Sequence, residues 1–221
     1  MKLLKFILTF FLFSCLSFFI LFCKKKDDKN TISGCIINQQ TGQPVSGVRT
    51  ELFAKTITNG TYSNQYSSIA YQLSQSDGNF SFTFDNMRVS EYKLTFSKTD
   101  YFIDENIINP NLIETGSNYN NNYYIHAEAW LKIFIKNNPP TAANDVLSFR
   151  LKNGYTNCTN GCSDSLQYFY GASIDTYHIC KLYGSQNAVL EWNYSNLSNH
   201  QQHFDTIWIQ PADTTVCYIN Y

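Results

Sequence analysis

Charge is scarce in this chain. Asp, Glu, Lys and Arg make up only 15% of the 221 residues, against a typical fraction of about 25%, and three are arginine: Arg49, Arg88 and Arg150. No basic stripe exists outside Lys24, Lys25 and Lys26, so the electrostatic footprint of a DNA or RNA binder is missing and no nucleic acid partner is expected. Catalytic signatures are missing too. There is no His-Glu-x-x-His motif, and without a Gly-x-Ser-x-Gly elbow or a phosphate loop the nucleophilic and nucleotide-binding routes lack an anchor in sequence. What replaces charge is Asn, Gln, Ser and Thr on the polar side, with aromatics at 16%; such a composition suits an exported β protein.

The amino terminus has its own layout. Lys2 and Lys5 precede an uncharged apolar run over residues 6–22, which ends abruptly at Cys23-Lys24-Lys25-Lys26-Asp27-Asp28. As a helix this run would rise about 25 Å, short of a hydrocarbon core of roughly 30 Å, which favours a cleaved signal over an anchor. The segment resembles lipoprotein signals of diderm bacteria, in which the cysteine closing the apolar run receives lipid and becomes the mature N-terminus. Ser14 before Cys15 has the small residue such signals usually carry, and Phe22 does not. Processing at Cys15 would, however, strand residues 16–22 as an apolar stretch behind the lipid, so Cys23 is the expected lipidation site. The Lys and Asp cluster after it resembles signals that send lipoproteins to the outer face of the outer membrane. Removal of residues 1–22 leaves 14 cations against 17 acids, a net of about −3. The membrane is thus an expected partner through N-terminal lipid, with residues 23–30 as the tether.

From residue 31 the pattern becomes short alternating segments broken by turn residues, with strands expected over 31–38, 48–55, 67–73, 80–84, 92–96 and 101–108. Phe80, Phe82 and Phe84 share one face and read as core, and Asp77-Gly78 before them is a hairpin signal. Ile32-Ser33-Gly34, Thr41-Gly42-Gln43-Pro44-Val45-Ser46-Gly47-Val48, Ser76-Asp77-Gly78-Asn79-Phe80 and Tyr92-Lys93-Leu94 stand in an order that resembles the carboxypeptidase regulatory-like family. That resemblance covers roughly a third of the chain and implies a transthyretin-type β-sandwich over 31–108, used as a scaffold or interaction module. His126 and Glu128 do not form the His-x-x-Glu pair of the metallocarboxypeptidases that carry such domains. Nor does the chain, ending Tyr218-Ile219-Asn220-Tyr221, carry the Tyr-Arg-Gly-Ser tail of the transthyretin-type urate-pathway hydrolases.

Residues 109–124, rich in Asn, Gly and Ser, read as a linker. Beyond it seven strands are expected, over 125–135, 146–151, 166–171, 176–182, 188–194, 206–210 and 215–221, and no helical period appears. The fold class is therefore all-β: two tandem β-sandwich domains, 31–108 and 125–221, behind a cleaved lipoprotein signal.

Five cysteines follow Cys23. In an oxidising compartment Cys158 and Cys162 suit a loop disulfide and Cys180 and Cys217 a bridge between strands, leaving Cys35 as a buried free thiol. The sharper alternative is zinc on Cys158, Cys162, His178 and Cys180, the basis for a metal-dependent or otherwise unrecognised hydrolase in the second half. Disulfides take precedence in an exported chain, so no metal, cofactor or enzyme activity is expected. His200 and His203 sit in a polar stretch that reads as loop. In Leu166-Gln167-Tyr168-Phe169-Tyr170, alternation puts Tyr168 and Tyr170 opposite Phe169, an exposed pair suited to stacking a carbohydrate or peptide. The expectation is a membrane-tethered, non-enzymatic binding or structural module.

Overall fold

A computed structural model of the protein describes residues 29–113, 115–138, 140, 143–154 and 156–221. The expected signal, Cys15 and Cys23 lie outside the described residues. Among the described residues fifteen strands account for the architecture, with a short 3₁₀ turn at Pro110–Leu112.

Eight strands build the first sandwich: β1 (Lys29–Asn38), β2 (Arg49–Thr58), β3 (Thr61–Tyr62), β4 (Ser67–Leu73), β5 (Asn79–Asp85), β6 (Val89–Ser97), β7 (Asp104–Ile108) and β8 (Asn118–Ile125). One sheet has the order β5-β1-β8; in the other, β2 pairs with β6, which pairs with β7, while β3 and β4 also pair with β2. Strict alternation in β1, β5 and β6 turns Ile32, Ile36, Phe80, Phe82, Phe84, Tyr92 and Leu94 into one shared core, as apolar residues at every second position must on a half-buried sheet. The Asp77-Gly78 turn is real, with Gly78 at φ +77°, but it closes no hairpin. It carries the chain from β4 in one sheet to β5 in the other, and the Gly78 carbonyl accepts from the Ile36 N–H at 2.9 Å. Cys35 is free and only half-buried on the outer side of β1, its Sγ donating to the Asp77 carbonyl, rather than buried as its strand position implied.

The expected linker over 109–124 is corrected by β8, which runs parallel to β1 through eight consecutive pairs, Thr31↔Asn118 to Asn38↔Ile125. Asn118, Asn120 and Asn122 lie on its outer face, where Asn118 and Asn120 accept hydrogen bonds from Ser33 Oγ at 2.8 and 3.1 Å. Tyr119, Tyr123 and Ile125 pack on the core side. An edge strand that exposes one face can be rich in asparagine and still be a strand. Tyr123 fills the space above Gly34, where any Cβ would lie 2.6 Å from the tyrosine ring and 2.3 Å from the Asn121 carbonyl oxygen; glycine is needed there for the close approach.

Only His126 and Ala127 separate β8 from β9 (Glu128–Lys136), the first strand of the second sandwich. The others are β10 (Val146–Asn153), β11 (Gln167–Tyr170), β12 (Asp175–Tyr183), β13 (Gln186–Ser195), β14 (His200–Ile209) and β15 (Thr214–Asn220). Sheets β11-β10-β13-β14 and β12-β9-β15 enclose a second core around Leu131, Ile133, Leu147, Leu182, Leu190 and Ile219. β14 begins six residues before the expected strand, so His200 and His203 belong to a strand and not to a loop; His203 is stacked on Trp192 at 4.0 Å. At one end of this core the fully buried Asp145 accepts from Asn137 Nδ2 at 2.8 Å and from the Tyr194 hydroxyl at 3.1 Å.

Candidate ligand-binding faces of the second sandwich

β11 is a short edge strand whose alternation decides its two faces. Phe169 turns inward and stacks on Phe149 with centroids 5.8 Å apart. Tyr168 and Tyr170 turn outward, 52% and 68% exposed, with rings 6.2 Å apart and nearly parallel at 13°. The register places Ser148 beside Tyr168 on β10, followed by Asn193 on β13 and Gln202 on β14. A charged network lies next along the same face: Arg150 Nε donates to Glu191 Oε2 at 2.8 Å, and Gln202 Nε2 donates to Glu191 Oε1 at 2.8 Å. The Arg150 hydrogen bond, chiefly, holds the Glu191 carboxyl below its ordinary range. The exposed rings of Phe204 and Trp208 stand on β14 beyond that network. The face thus reads aromatic, polar, aromatic, which offers stacking surfaces beside groups that donate and accept hydrogen bonds.

The opposite sheet carries an aromatic row that the sequence pattern did not single out. Register aligns Tyr177 on β12, Phe134 on β9 and Tyr218 on β15 across three strands. Phe134 and Tyr218 stack at 5.4 Å, and the Lys132 ammonium sits 4.6 Å from the Phe134 centroid and 4.4 Å from that of Tyr177. Each tyrosine belongs to a period-2 segment whose partner two residues away is also exposed, Ile179 for Tyr177 and Val216 for Tyr218. The alternation was there to read, but which side would be covered depended on a strand order no local pattern encodes.

The cysteines pair differently from expectation. Cys162 is bonded to Cys180, with Cα atoms 4.8 Å apart, while Cys158 and Cys217 are free. Sheet order explains this. β9 lies between β12 and β15, with Cys180 facing Leu131 and Cys217 facing Ile133, so Cys180 and Cys217 are two strand spacings apart, roughly 10 Å, beyond disulfide reach. Cys162 is brought to Cys180 instead because its N–H donates to the Lys181 carbonyl at 2.7 Å. Burial pushes the Cys217 thiol up to about 12. The zinc set is overturned by the same bond: two of its thiolates are consumed by one another, and His178 packs edge-on against Phe149 with its pKa lowered by burial. No group of three potential metal ligands occurs among the described residues.

A cleft of about 390 Å³ opens where the sandwiches meet, lined by Phe102, Asp104, His126, Cys158 and Tyr183 among others. His126 stacks on Tyr183 at 3.9 Å, and Gln40 Nε2 lies 2.7 Å from its Nδ1. Burial lowers the His126 pKa, with Asp104 acting in the other direction. A neutral ring accepts at Nδ1 from the Gln40 amide, so the imidazole works as a structural wedge.

No protein-family model matches the chain, and no curated protein matches it in sequence. Among solved structures, the Bacillus anthracis TIE protein is 10% identical with a TM-score of 0.38 over 87% of this chain. A streptococcal ancillary pilin is 12% identical with a TM-score of 0.34 over 89% of this chain. The shaft pilin SpaA of Lactobacillus rhamnosus GG, as the D295N mutant, is 10% identical with a TM-score of 0.34 over 84% of this chain and 96% of its own. The chain spans 34% of the TIE protein structure and 63% of the ancillary pilin. At these values the likeness goes no further than layered β architecture. Among the described residues no helix is long and apolar enough to cross a membrane.

Proposed function

We propose that this chain is an exported lipoprotein, held at the outer membrane by lipid on Cys23, that acts as a non-enzymatic binding or structural module. In this reading residues 1–22 are removed and 23–30 form the tether. The first sandwich is a carboxypeptidase regulatory-like spacer, and the second presents Tyr168 and Tyr170 to a carbohydrate or peptide. The observation that carries it is the outward pair of parallel tyrosine rings on β11. The two rings stack on each other in water on the face of β11 opposite the core-facing Phe169, beside hydrogen-bonding side chains. The hydrolase alternative has lost its thiolate set to the Cys162–Cys180 bond.

Two measurements test the reading. The mass of the N-terminal peptide from membrane-extracted protein is expected to be that of an acylated peptide beginning at Cys23; an unmodified N-terminus removes the tether. A glycan and peptide array probed with the full chain is expected to return ligands whose binding falls about fivefold or more in Tyr168→Ala and Tyr170→Ala. Unchanged binding in both variants, at unchanged melting temperature, sinks the role given to this pair.

A further inference from the structure

The chain enters the first sandwich at Lys29, the start of β1, and leaves it after Ile125, the end of β8. These two strands are direct neighbours and parallel, in register over eight residue pairs. A pull between entry and exit therefore drags β1 toward its N-terminal end and β8 toward its C-terminal end. That is sliding along the ladder, which loads its hydrogen bonds together. Two antiparallel neighbours pulled from adjacent ends would instead open one bond at a time.

We infer that the first sandwich is a tension-bearing clamp whose β1/β8 pair carries load between the chain on its N-terminal side and the second sandwich. The inference rests on the tethered-module reading for the source of the tension. The clamp has a latch. Tyr123 occupies the space above Gly34, flanked on the same face of β1 by Ile32 and Ile36. A one-residue slip of β8 turns its inward face to water, and a two-residue slip drives the Tyr123 ring onto an isoleucine. β1 is held on its other edge by β5 through seven pairs, Lys29↔Asp85 to Cys35↔Asn79, so β8 cannot yield by dragging β1 out with it. The same device recurs independently in the second sandwich. There β9, the entry strand, runs parallel to β15, the exit strand, from Trp130↔Thr214 to Lys136↔Asn220. The junction adds little slack: Phe102 N–H donates to the His126 carbonyl at 3.0 Å, Glu128 N–H to the Asp100 carbonyl at 2.7 Å and Gly184 N–H to the Ala127 carbonyl at 2.9 Å.

Single-molecule pulling on the full chain in detergent tests this without any need for lipid, so its failure is distinguishable from failure of the tether. Handles are attached enzymatically at the N-terminus and after Tyr221, or at the N-terminus and at Arg88, an exposed residue just past β5. The first geometry loads β1/β8 lengthwise; the second peels β1 from β5, starting at the Lys29↔Asp85 end. Extension steps identify which sandwich has opened, because the Cys162–Cys180 bond withholds the residues between them from the second. The expected result is a rupture force for the first sandwich severalfold higher end to end than through Arg88. Tyr123→Ala is expected to lower the end-to-end force. Leu94→Ala, a core cavity in the opposite sheet, is expected to lower the melting temperature while preserving the difference between directions. Equal forces in the two geometries, or a Tyr123→Ala chain indistinguishable from Leu94→Ala in both readouts, overturns the clamp.

Discussion

At the scale of single residues, two positions bear more than their share. Gly34 is inward-facing in a strand, where an alanine Cβ meets a backbone oxygen at 2.3 Å and a packed ring at 2.6 Å. Gly34→Ala is expected to cost about 2 kcal/mol or more through forced displacement of β8, measured as a lowered denaturant midpoint with an unchanged slope. Asp145 is the second. Replacing it by alanine strands the Asn137 amide in a buried site and removes the acceptor of the Tyr194 hydroxyl. A loss of about 3 kcal/mol is expected from chemical unfolding. Legibility was uneven at this scale. The inward phenylalanines of β5 and the two faces of β11 could be read directly, because period-2 alternation is local. Asp145 could not be, since an aspartate before an apolar strand looks like any turn residue until Asn137 and Tyr194 are folded around it.

At the scale of elements, the Cys162–Cys180 bond ties the segment before β11 onto β12 across an 18-residue separation. Replacing both cysteines by serine is expected to lower stability by about 3 kcal/mol on the loop-closure account. Thiol titration of the unfolded, unreduced region after residue 28 should give three free cysteines, Cys35, Cys158 and Cys217; a count of one would restore the two-bridge pattern read from spacing. The elements also show where sequence reading stopped. Strands with a buried, alternating face lie within a few residues of their expected bounds, whereas β8 reads as linker in sequence because its asparagines outnumber its inward residues. The Cys180–Cys217 pairing failed for a related reason: it needed the order β12-β9-β15, and nothing in either strand announces that a third lies between them.

At the scale of the whole molecule, the junction between the sandwiches depends on protonation. His126 is held neutral by burial, stacked on Tyr183 and within hydrogen-bonding distance of Gln40. Its pKa in the fold lies below the ordinary value of about 6.5, so below that pH the unfolded chain binds the proton first. Stability from this group is complete above about pH 6.5 and declines as pH falls toward the folded pKa. His178, also lowered by burial, contributes with the same sign. Melting temperature is therefore expected to drop between pH 7.5 and 5.5, and His126→Gln is expected to flatten part of that slope. An unchanged slope in the variant would remove His126 from the account.

The parallel pairing of first and last strands in each sandwich also sets the order in which the chain is able to fold. Thr31 must find Asn118, and Trp130 must find Thr214, so neither core closes until nearly the whole of its sequence exists. Contacts this distant make folding slow, because loop closure is paid before the ladder returns anything. If the chain is exported as proposed, that slowness helps: a chain whose closing strand has not yet arrived can still be threaded through a membrane and close its cores on the far side.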